Sequence, residues 1–430
     1  MSQPKIILIA VILLFFLSFR FYFFYHNISN LYNGQSLSLE TTLLQEPKIS
    51  GGYQRFSVNQ ENGEQIFIIT PKYPSFGYGD SVRITGKIEE RALNSKKVIM
   101  TMFLPKIEAV NSNSNFTVNP LNSVLAVITN IRQNIIQIMA KTLPPLYSSL
   151  LLGIVFGIKE GMPKEFMDNL RLSGVLHVIA ASGMNVTMTA GFLSAIFSVI
   201  FKRQIAILVS IVGIIFYAVV SGLEPSIVRA SIMGIIVFTA QMLGRQNLAV
   251  FSLFTAGFLM LFISPSLLFN VGFQLSFVST LGLLYIRPLF ERKKRMKVLL
   301  KKSLVGEDIT TTISAQAATL PILLVNFGSY SFFSIIVNAL VLWTIPFLMI
   351  FGGVGVILGV VFQPLGKFVI YLTLPLLLYF EKIINFFASL GGAVDFGQIA
   401  WPFWIAYYCL LVGLIIFFGE RKKKEIYESH

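Results

Sequence analysis

The chain is poor in the residues that build metal centres and disulfides. Its 430 residues include a single cysteine, Cys409, and three histidines, His26, His177 and His430. One cysteine excludes a disulfide framework and a cysteine-based zinc site. Three scattered histidines leave too few ligands for a multi-ligand metal centre. We therefore predict neither a metal site nor another cofactor.

Charge is also scarce, and hydrophobic residues take its place. Only 13% of the residues are charged and 55% are hydrophobic, whereas soluble domains carry about 25% charged residues. Several apolar runs reach the roughly 20 residues that a helix needs to cross the membrane. A lipid-exposed backbone must satisfy its own hydrogen bonds, so we predict a polytopic α-helical membrane protein with about ten transmembrane helices.

A polar segment near the N-terminus breaks this pattern. Residues 31–112 alternate apolar and polar side chains over short stretches separated by turn signals such as Asn62-Gly63, which predicts a small all-β domain. The stretch 78–87 is typical of a strand in an OB-type barrel. The domain also contains six basic residues, which a solvated face would explain: Lys72, Arg83, Lys87, Arg91, Lys96 and Lys97.

Hydropathy divides the rest of the chain into four parts. Residues 1–30 hold an uncleaved transmembrane anchor, 113–174 hold amphipathic and re-entrant helices, 175–418 form the polytopic core, and 419–430 are a basic tail. Basic residues favour the cytoplasmic side, which predicts cytoplasmic N- and C-termini and an extracytoplasmic β domain. On this count the short segment 146–158 must return to the side it left, as a re-entrant helix does.

Four polar windows interrupt the apolar core. They contain His177, Ser182 and Asn185, then Glu224 and Arg229, then Gln274 and Ser276, and last Gln316 and Asn338. Such residues are costly in a bilayer, so they either line an aqueous path or hydrogen-bond between packed helices. Arg229 lies a little inside a span, where it faces a cavity, pairs with Glu224 or extends to the membrane surface.

Taken in order, these windows resemble the membrane core of the ComEC family, the channel of bacterial competence for DNA uptake. The matching residues are Gly174, His177, Ala180, Ser182, Gly183 and Val186, then Pro225, Ser226, Arg229, Ala230 and Met233, then the run Gly272 to Phe277, then Gln316 and Pro321. A single anchor followed by an OB-like domain also fits the family. The resemblance therefore covers most of the chain.

The resemblance implies that single-stranded DNA crosses the inner membrane along a path lined by the residues of the four windows. It also implies that the OB-like domain receives the strand. Two departures stand out. Asn185 occupies a position where many members have a second histidine, and the H-x-H-x-D-H cluster of the metallo-β-lactamase-like domain found in many members is missing. We therefore predict a channel without a metallo-nuclease site, not an enzyme.

The same resemblance implies partners and a location. We expect single-stranded DNA and membrane lipid to contact the chain, a separate DNA receptor, nuclease and cytoplasmic motor to work with it, and a homo-oligomer to be possible. The location is the bacterial inner (plasma) membrane, with several passes.

Two other functions stay open beside the channel. A small-solute transporter would be favoured by inverted repeats, and none is visible. An intramembrane serine hydrolase would use Ser182 with His177 as its base. On one helix, five residues turn those side chains about 140° apart.

Overall fold

The computed structural model describes most of the chain. The described residues are 3–26, 32–43, 47–50, 52–59, 65–77, 80–94, 97–109, 120–158, 161–179, 182–246, 249–290, 306–397 and 401–428. The chain forms two compact units, Met1–Asn134 with Leu261–Ser266, and Ile135–Met260 with Leu267–His430.

Helices account for most of the described residues. They are α1 (Gln3–His26), α2 (Pro120–Ala140), α3 (Pro145–Phe156), α4 (Lys164–Leu172), α5 (Leu176–Ile179), α6 (Gly183–Ile200), α7 (Arg203–Val220), α8 (Pro225–Met242), α9 (Ala249–Ile263), α10 (Val271–Tyr285), α11 (Arg287–Phe290), α12 (Gly306–Phe327), α13 (Ser334–Val341), α14 (Thr344–Val361), α15 (Gln363–Tyr371), α16 (Leu374–Ser389) and α17 (Trp401–Glu428).

Ten short strands complete the described secondary structure. They are β1 (Ser36–Thr42), β2 (Lys48–Ser50), β3 (Tyr53–Asn59), β4 (Gln65–Pro71), β5 (Ser81–Lys87), β6 (Glu89–Asn94), β7 (Lys97–Phe103), β8 (Lys106–Ala109), β9 (Ser329–Ser331) and β10 (Ala393–Asp395). The last two form a small antiparallel ribbon between loops of the helical unit.

The first eight strands pair as a five-stranded barrel in which three strands are bent in two. The bent strands are β1 with β2, β5 with β6, and β7 with β8. Antiparallel pairs join β2 to β3, β3 to β4, β6 to β7, β1 to β5 and β5 to β8. The parallel pair β4–β7 joins the third strand to the fifth. The first strand thus closes against the fourth, which is the OB-fold topology and confirms the OB-like prediction.

Alternation along these strands builds the barrel core. Ile66 and Ile68 of β4, Ile84 of β5 and Met102 of β7 are fully buried, while their neighbours in sequence point outward because successive side chains of a strand face opposite sides. The core also contains Leu43, Phe56, Val58, Val82 and Ile88.

The second unit is a helical bundle of membrane-spanning character. In the part of the chain that the structure describes, seven segments are long and apolar enough to cross a membrane: Gly183–Ile200, Arg203–Val220, Pro225–Met242, Val271–Phe290, Ile309–Phe327, Thr344–Val361 and Gln363–Ser389. Shorter apolar helices occur at Val11–His26, Pro145–Phe156, Ala249–Ile263 and Pro402–Phe417. The protein is therefore a polytopic membrane protein, as predicted.

Several apolar runs that look continuous in sequence are interrupted in the structure. The run that starts at residue 175 divides into α5 and α6, with the break next to Ser182. The run 331–361 divides into α13 and α14 at Leu342 and Trp343. Hydropathy does not reveal these breaks, because the interrupting residues are themselves apolar or small.

The short segment at 146–158 is a helix enclosed by protein. Eight of the twelve residues of α3 are buried, from Ser148 to Val155. Twelve residues span only about 18 Å, too little to cross a bilayer. Burial within protein is the setting in which a partly spanning helix is tolerated, so the re-entrant interpretation stays a prediction that this helix fits.

Candidate functional site

The end of α3 is closed by side chains from two other helices. The last carbonyls of a helix have no hydrogen-bond donor within it. Asn185 Nδ2 of α6 donates to the Ile154 carbonyl at 2.7 Å, and the Tyr217 hydroxyl of α7 donates to the Val155 carbonyl at 2.8 Å. Both side chains are buried, Asn185 with 1% exposed. Asn185 therefore ties the beginning of α6 to the end of α3.

Ser182 supports this arrangement from the N-terminal end of α6. It is the N-cap residue, with extended backbone angles of φ −108° and ψ 169°. Its hydroxyl donates to Asn185 Oδ1 at 3.3 Å, which fixes the amide so that Nδ2 points to Ile154. A serine nucleophile needs its hydroxyl hydrogen-bonded to a base, whereas the partner here is an amide oxygen. This geometry disfavours the serine hydrolase.

Arg229 joins the start of α8 to α10. Its guanidinium donates to the carbonyl of Ser276 and to the hydroxyl of Thr280. The residue is only 7% exposed, which rules out simple extension to the surface. Among the described residues, its hydrogen-bond partners lie on α10 and do not include the Glu224 carboxylate, and Nε has no partner. Of the three alternatives that the sequence left open, the described residues therefore show neither the pairing with Glu224 nor the extension to the surface.

Gly183 allows Arg229 to approach α6. A Cβ at Gly183 would lie 2.9 Å from Arg229 Nη2, so a side chain there would displace the guanidinium. We call Ser182, Asn185, Tyr217 and Arg229 the α6 cluster.

A second polar cluster surrounds Gln316 in the middle of α12. Gln316 Nε2 donates to the Ser334 hydroxyl at 2.6 Å, and the Tyr330 hydroxyl donates to Gln316 Oε1 at 2.7 Å. Asn338, 1% exposed, places Nδ2 at 3.5 Å from the same serine oxygen. We call Gly174, Gln316, Tyr330, Ser334 and Asn338 the α12 cluster.

Gly174 brings the first polar window into the α12 cluster. The Ser334 hydroxyl donates to the Gly174 carbonyl at 3.0 Å. Gly174 has a φ of +78°, and a Cβ there would lie 2.6 Å from the Cβ of Ser334. Both the backbone conformation and the close packing require glycine. The segment from Gly174 to Ser182 thus connects the two clusters.

Comparison with known proteins decides the family. A sequence model described as Competence protein matches residues 154–422. The chain belongs to the Competence protein family. The ComE operon protein 3 of Bacillus subtilis (strain 168) is 24% identical over 334 residues, which cover 76% of this chain and 41% of that protein. The chain therefore spans less than half the length of this relative. No solved structure matches this chain.

The competence-family blocks have distinct structural roles. The first block divides between the clusters, because Gly174 belongs to the α12 cluster, and Ser182 and Asn185 belong to the α6 cluster. The second block supplies Arg229. The third supplies an acceptor for Arg229 through the backbone of Ser276, not through its side chain. The resemblance to the ComEC family, predicted from the order of these blocks, is confirmed.

Besides Ser276, which contributes only its backbone carbonyl, three predicted path residues lie outside both clusters. Gln274 Nε2 donates to the Leu268 carbonyl at 2.8 Å, so it holds the turn that precedes α10. Glu224 is the half-buried N-cap residue of α8. His177 lies on α5, between the clusters in sequence, and its side chain is exposed. Whether these residues line a path stays a prediction.

The predicted basic residues of the β domain do not share one face of the barrel. Arg83 on β5 bonds to Glu40 on β1, with Nε 2.7 Å from Oε1. Lys72, Lys87 and Arg91 are exposed on different strands or loops. Lys96 lies outside the described residues, and Lys97 is described only by its register opposite Asn94.

Sequence reasoning missed the partners of the predicted residues. Tyr217, Thr280, Tyr330 and Ser334 complete the two clusters, yet none stands out in an apolar run. A tyrosine in an apolar run is the signal that could have predicted two of these partners, because a buried Tyr O–H usually finds a hydrogen-bond partner.

Proposed function

We propose that this chain forms the membrane path along which single-stranded DNA enters the cytoplasm during natural transformation. The observation that carries the proposal is the pair of polar clusters at interrupted helices inside the competence-family region. Broken helices within a membrane protein are tolerated where they are buried or line a cavity. The segment from Gly174 to Ser182, with exposed His177, joins the two clusters and is the best candidate for the wall of such a path.

The proposal includes the wider arrangement expected from the sequence. The chain works as a channel in the inner membrane, with both termini in the cytoplasm and the barrel outside. The proposal assigns degradation of the other strand to a separate protein. A receptor delivers DNA to the barrel, and a cytoplasmic motor pulls it.

His177 gives the sharpest test, because its side chain is exposed and holds no other helix in place. The test uses a deletion strain complemented with His177→Ala, and with Met184→Ala as matched control. Met184 is also exposed, on the first turn of α6. Transformation frequency is divided by the abundance of the protein in the membrane fraction.

We expect His177→Ala to lower normalised transformation by roughly tenfold or more, which corresponds to about 1.4 kcal/mol in the transport barrier. Met184→Ala should transform like the wild type. Normal transformation by His177→Ala at normal abundance would contradict the assignment of this segment to the path. Normal transformation by the deletion strain would contradict the proposed function as a whole.

A further inference from the structure

The outer surface of β3, β4 and β7 carries an exposed aromatic pair. Tyr53 on β3 is 37% exposed and Phe103 on β7 is 47% exposed. Their ring centroids lie 6.2 Å apart with an interplanar angle of 40°. In the sheet, Tyr53 is opposite Pro71, and Phe103 is opposite Ile69, so the rings flank the end of β4. They are the outward neighbours of buried core residues.

A third exposed ring, that of Tyr73, lies on the loop after β4, whose backbone is hydrogen-bonded to the residue before Tyr53. Tyr73 is 73% exposed, and the Lys72 amide donates to the Gly52 carbonyl, next to Tyr53, at 3.0 Å. The loop is fixed from inside by Gln54, which is 1% exposed. Its Nε2 lies 2.9, 2.9 and 2.7 Å from the carbonyls of residues 71, 72 and 74. The backbone of the loop that carries Tyr73 is therefore fixed by Gln54 before any ligand binds.

Cations accompany the rings on the same surface. Arg55 lies two residues after Tyr53 on β3, hence on the same face, and its side chain is exposed. The register places it opposite Lys48 of β2. The Lys72 ammonium lies 5.3 Å from the Tyr73 ring centroid.

These cations differ from those elsewhere on the barrel. Arg83 is paired with Glu40, and Lys106 is paired with Glu108 at 2.7 Å. Within the described part of the barrel, Arg55 and Lys72 have no carboxylate at ion-pair distance. Within the described part of the barrel, positive charge without a carboxylate partner therefore lies beside the exposed rings at Arg55 and Lys72, and also at the exposed Lys87 and Arg91, whereas Arg83 is neutralised.

We propose that Tyr53, Tyr73 and Phe103 form a stacking platform for the bases of single-stranded DNA, with Arg55 and Lys72 on the phosphates. Rings stack on every base regardless of sequence, and each stacked base contributes about 1–3 kcal/mol. A duplex hides its base faces, so the platform selects single strands. This proposal rests on the proposed function, because it assigns the residues that first receive the strand.

The test measures binding of a fluorescent oligothymidylate to the full-length protein in nanodiscs of zwitterionic lipid. The double variant Tyr53→Leu/Phe103→Leu keeps apolar side chains but removes the rings. We expect it to weaken binding by roughly tenfold or more, as the loss of one to two stacked bases requires. Tyr53→Phe keeps the ring and should bind like the wild type.

Charge variants separate stacking from phosphate contact. Arg55→Gln/Lys72→Gln should reduce the slope of log K against log salt by about 1.4, since each phosphate contact to a single strand contributes about 0.7. The ring variant should leave the slope unchanged. Arg83→Gln/Lys106→Gln removes the same number of cations from the other sheet and should leave both affinity and slope unchanged.

Three outcomes would overturn the platform. These are wild-type affinity in the ring variant, failure of the wild type to bind oligothymidylate, and a ring variant that loses binding to anionic lipid vesicles but not to the oligonucleotide. The last outcome would make the surface a membrane contact.

If the ring variant binds normally while transformation still depends on His177, the platform is wrong and the proposed function stands. If the ring variant loses binding while the deletion strain transforms normally, the platform stands and the proposed function is wrong.

Discussion

Pro321 leaves one backbone carbonyl of α12 without its helical hydrogen-bond donor, and a side chain from another helix replaces that donor. Proline has no N–H, so the carbonyl four residues earlier, that of Ala317, loses its helical donor. The Tyr407 hydroxyl of α17 donates to this carbonyl at 2.6 Å. Tyr408 donates to the next carbonyl, that of Ala318, at 3.1 Å. Residue 322 still has an N–H for Ala318, so only Tyr407 replaces a missing helical bond.

This geometry predicts an energetic coupling between Tyr407 and Pro321. Tyr407→Phe removes the donor and leaves a carbonyl unsatisfied, which costs about 1–3 kcal/mol. Pro321→Ala restores the helical N–H, so Tyr407→Phe in that background should cost much less. We expect a coupling free energy of about 1–2 kcal/mol, within the range for residues in one hydrogen-bond network.

The assay is the free energy of unfolding in mixed micelles for the four variants of this cycle, with Tyr408→Phe as matched control. Tyr408→Phe should cost less than Tyr407→Phe, because Ala318 keeps its helical donor. Equal costs for the two tyrosines, or an unchanged cost of Tyr407→Phe after Pro321→Ala, would refute the reasoning. Since Gln316 immediately precedes Ala317, Tyr407→Phe should also lower transformation.

Two further predictions test the packing of the bundle and the role of the amide in the α6 cluster. A Cβ at Gly366 would lie 2.2 Å from the Gly359 Cα, whereas one at Gly353 meets no atom within 4 Å, so Gly366→Ala should strongly reduce abundance in the membrane fraction and Gly353→Ala should not. Asn185→His should keep the hydrogen bond to Ile154 and retain transformation, because an imidazole N–H is also a donor, whereas Asn185→Leu should lose stability by about 1–3 kcal/mol. Loss of function in both Asn185 variants, at normal abundance, would show that the amide does more than cap α3.

The sequence predicts the overall architecture well, because hydropathy and alternation report directly on burial. The barrel, the bundle and the order of the competence blocks all follow from such local patterns. The charged residues of the barrel show the limit of this reasoning. Arg83 and Arg55 look alike in sequence, and only the register that places Glu40 opposite Arg83 and Lys48 opposite Arg55 distinguishes a neutralised cation from a free one.

The membrane residues show a second limit. Pairing with Glu224, five residues away, was one of three alternatives for Arg229, and Glu224 was the candidate partner because proximity in sequence is all that a sequence offers. Its partners come from α10, 47 and 51 residues further along the chain. The acceptor at Ser276 is a backbone carbonyl, which every residue has, so no pattern of side chains could identify it.

The closure of α3 by Asn185 and Tyr217 has a consequence for how the protein is made. During synthesis α3 leaves the ribosome before α6 and α7, so the donors for its last carbonyls do not yet exist. Its twelve residues extend only about 18 Å, too short to be retained alone as a span of about 30 Å. We therefore expect α3 to wait at the membrane surface and to enter only once α6 and α7 are in place. The order in which these helices enter the membrane then differs from their order in the sequence.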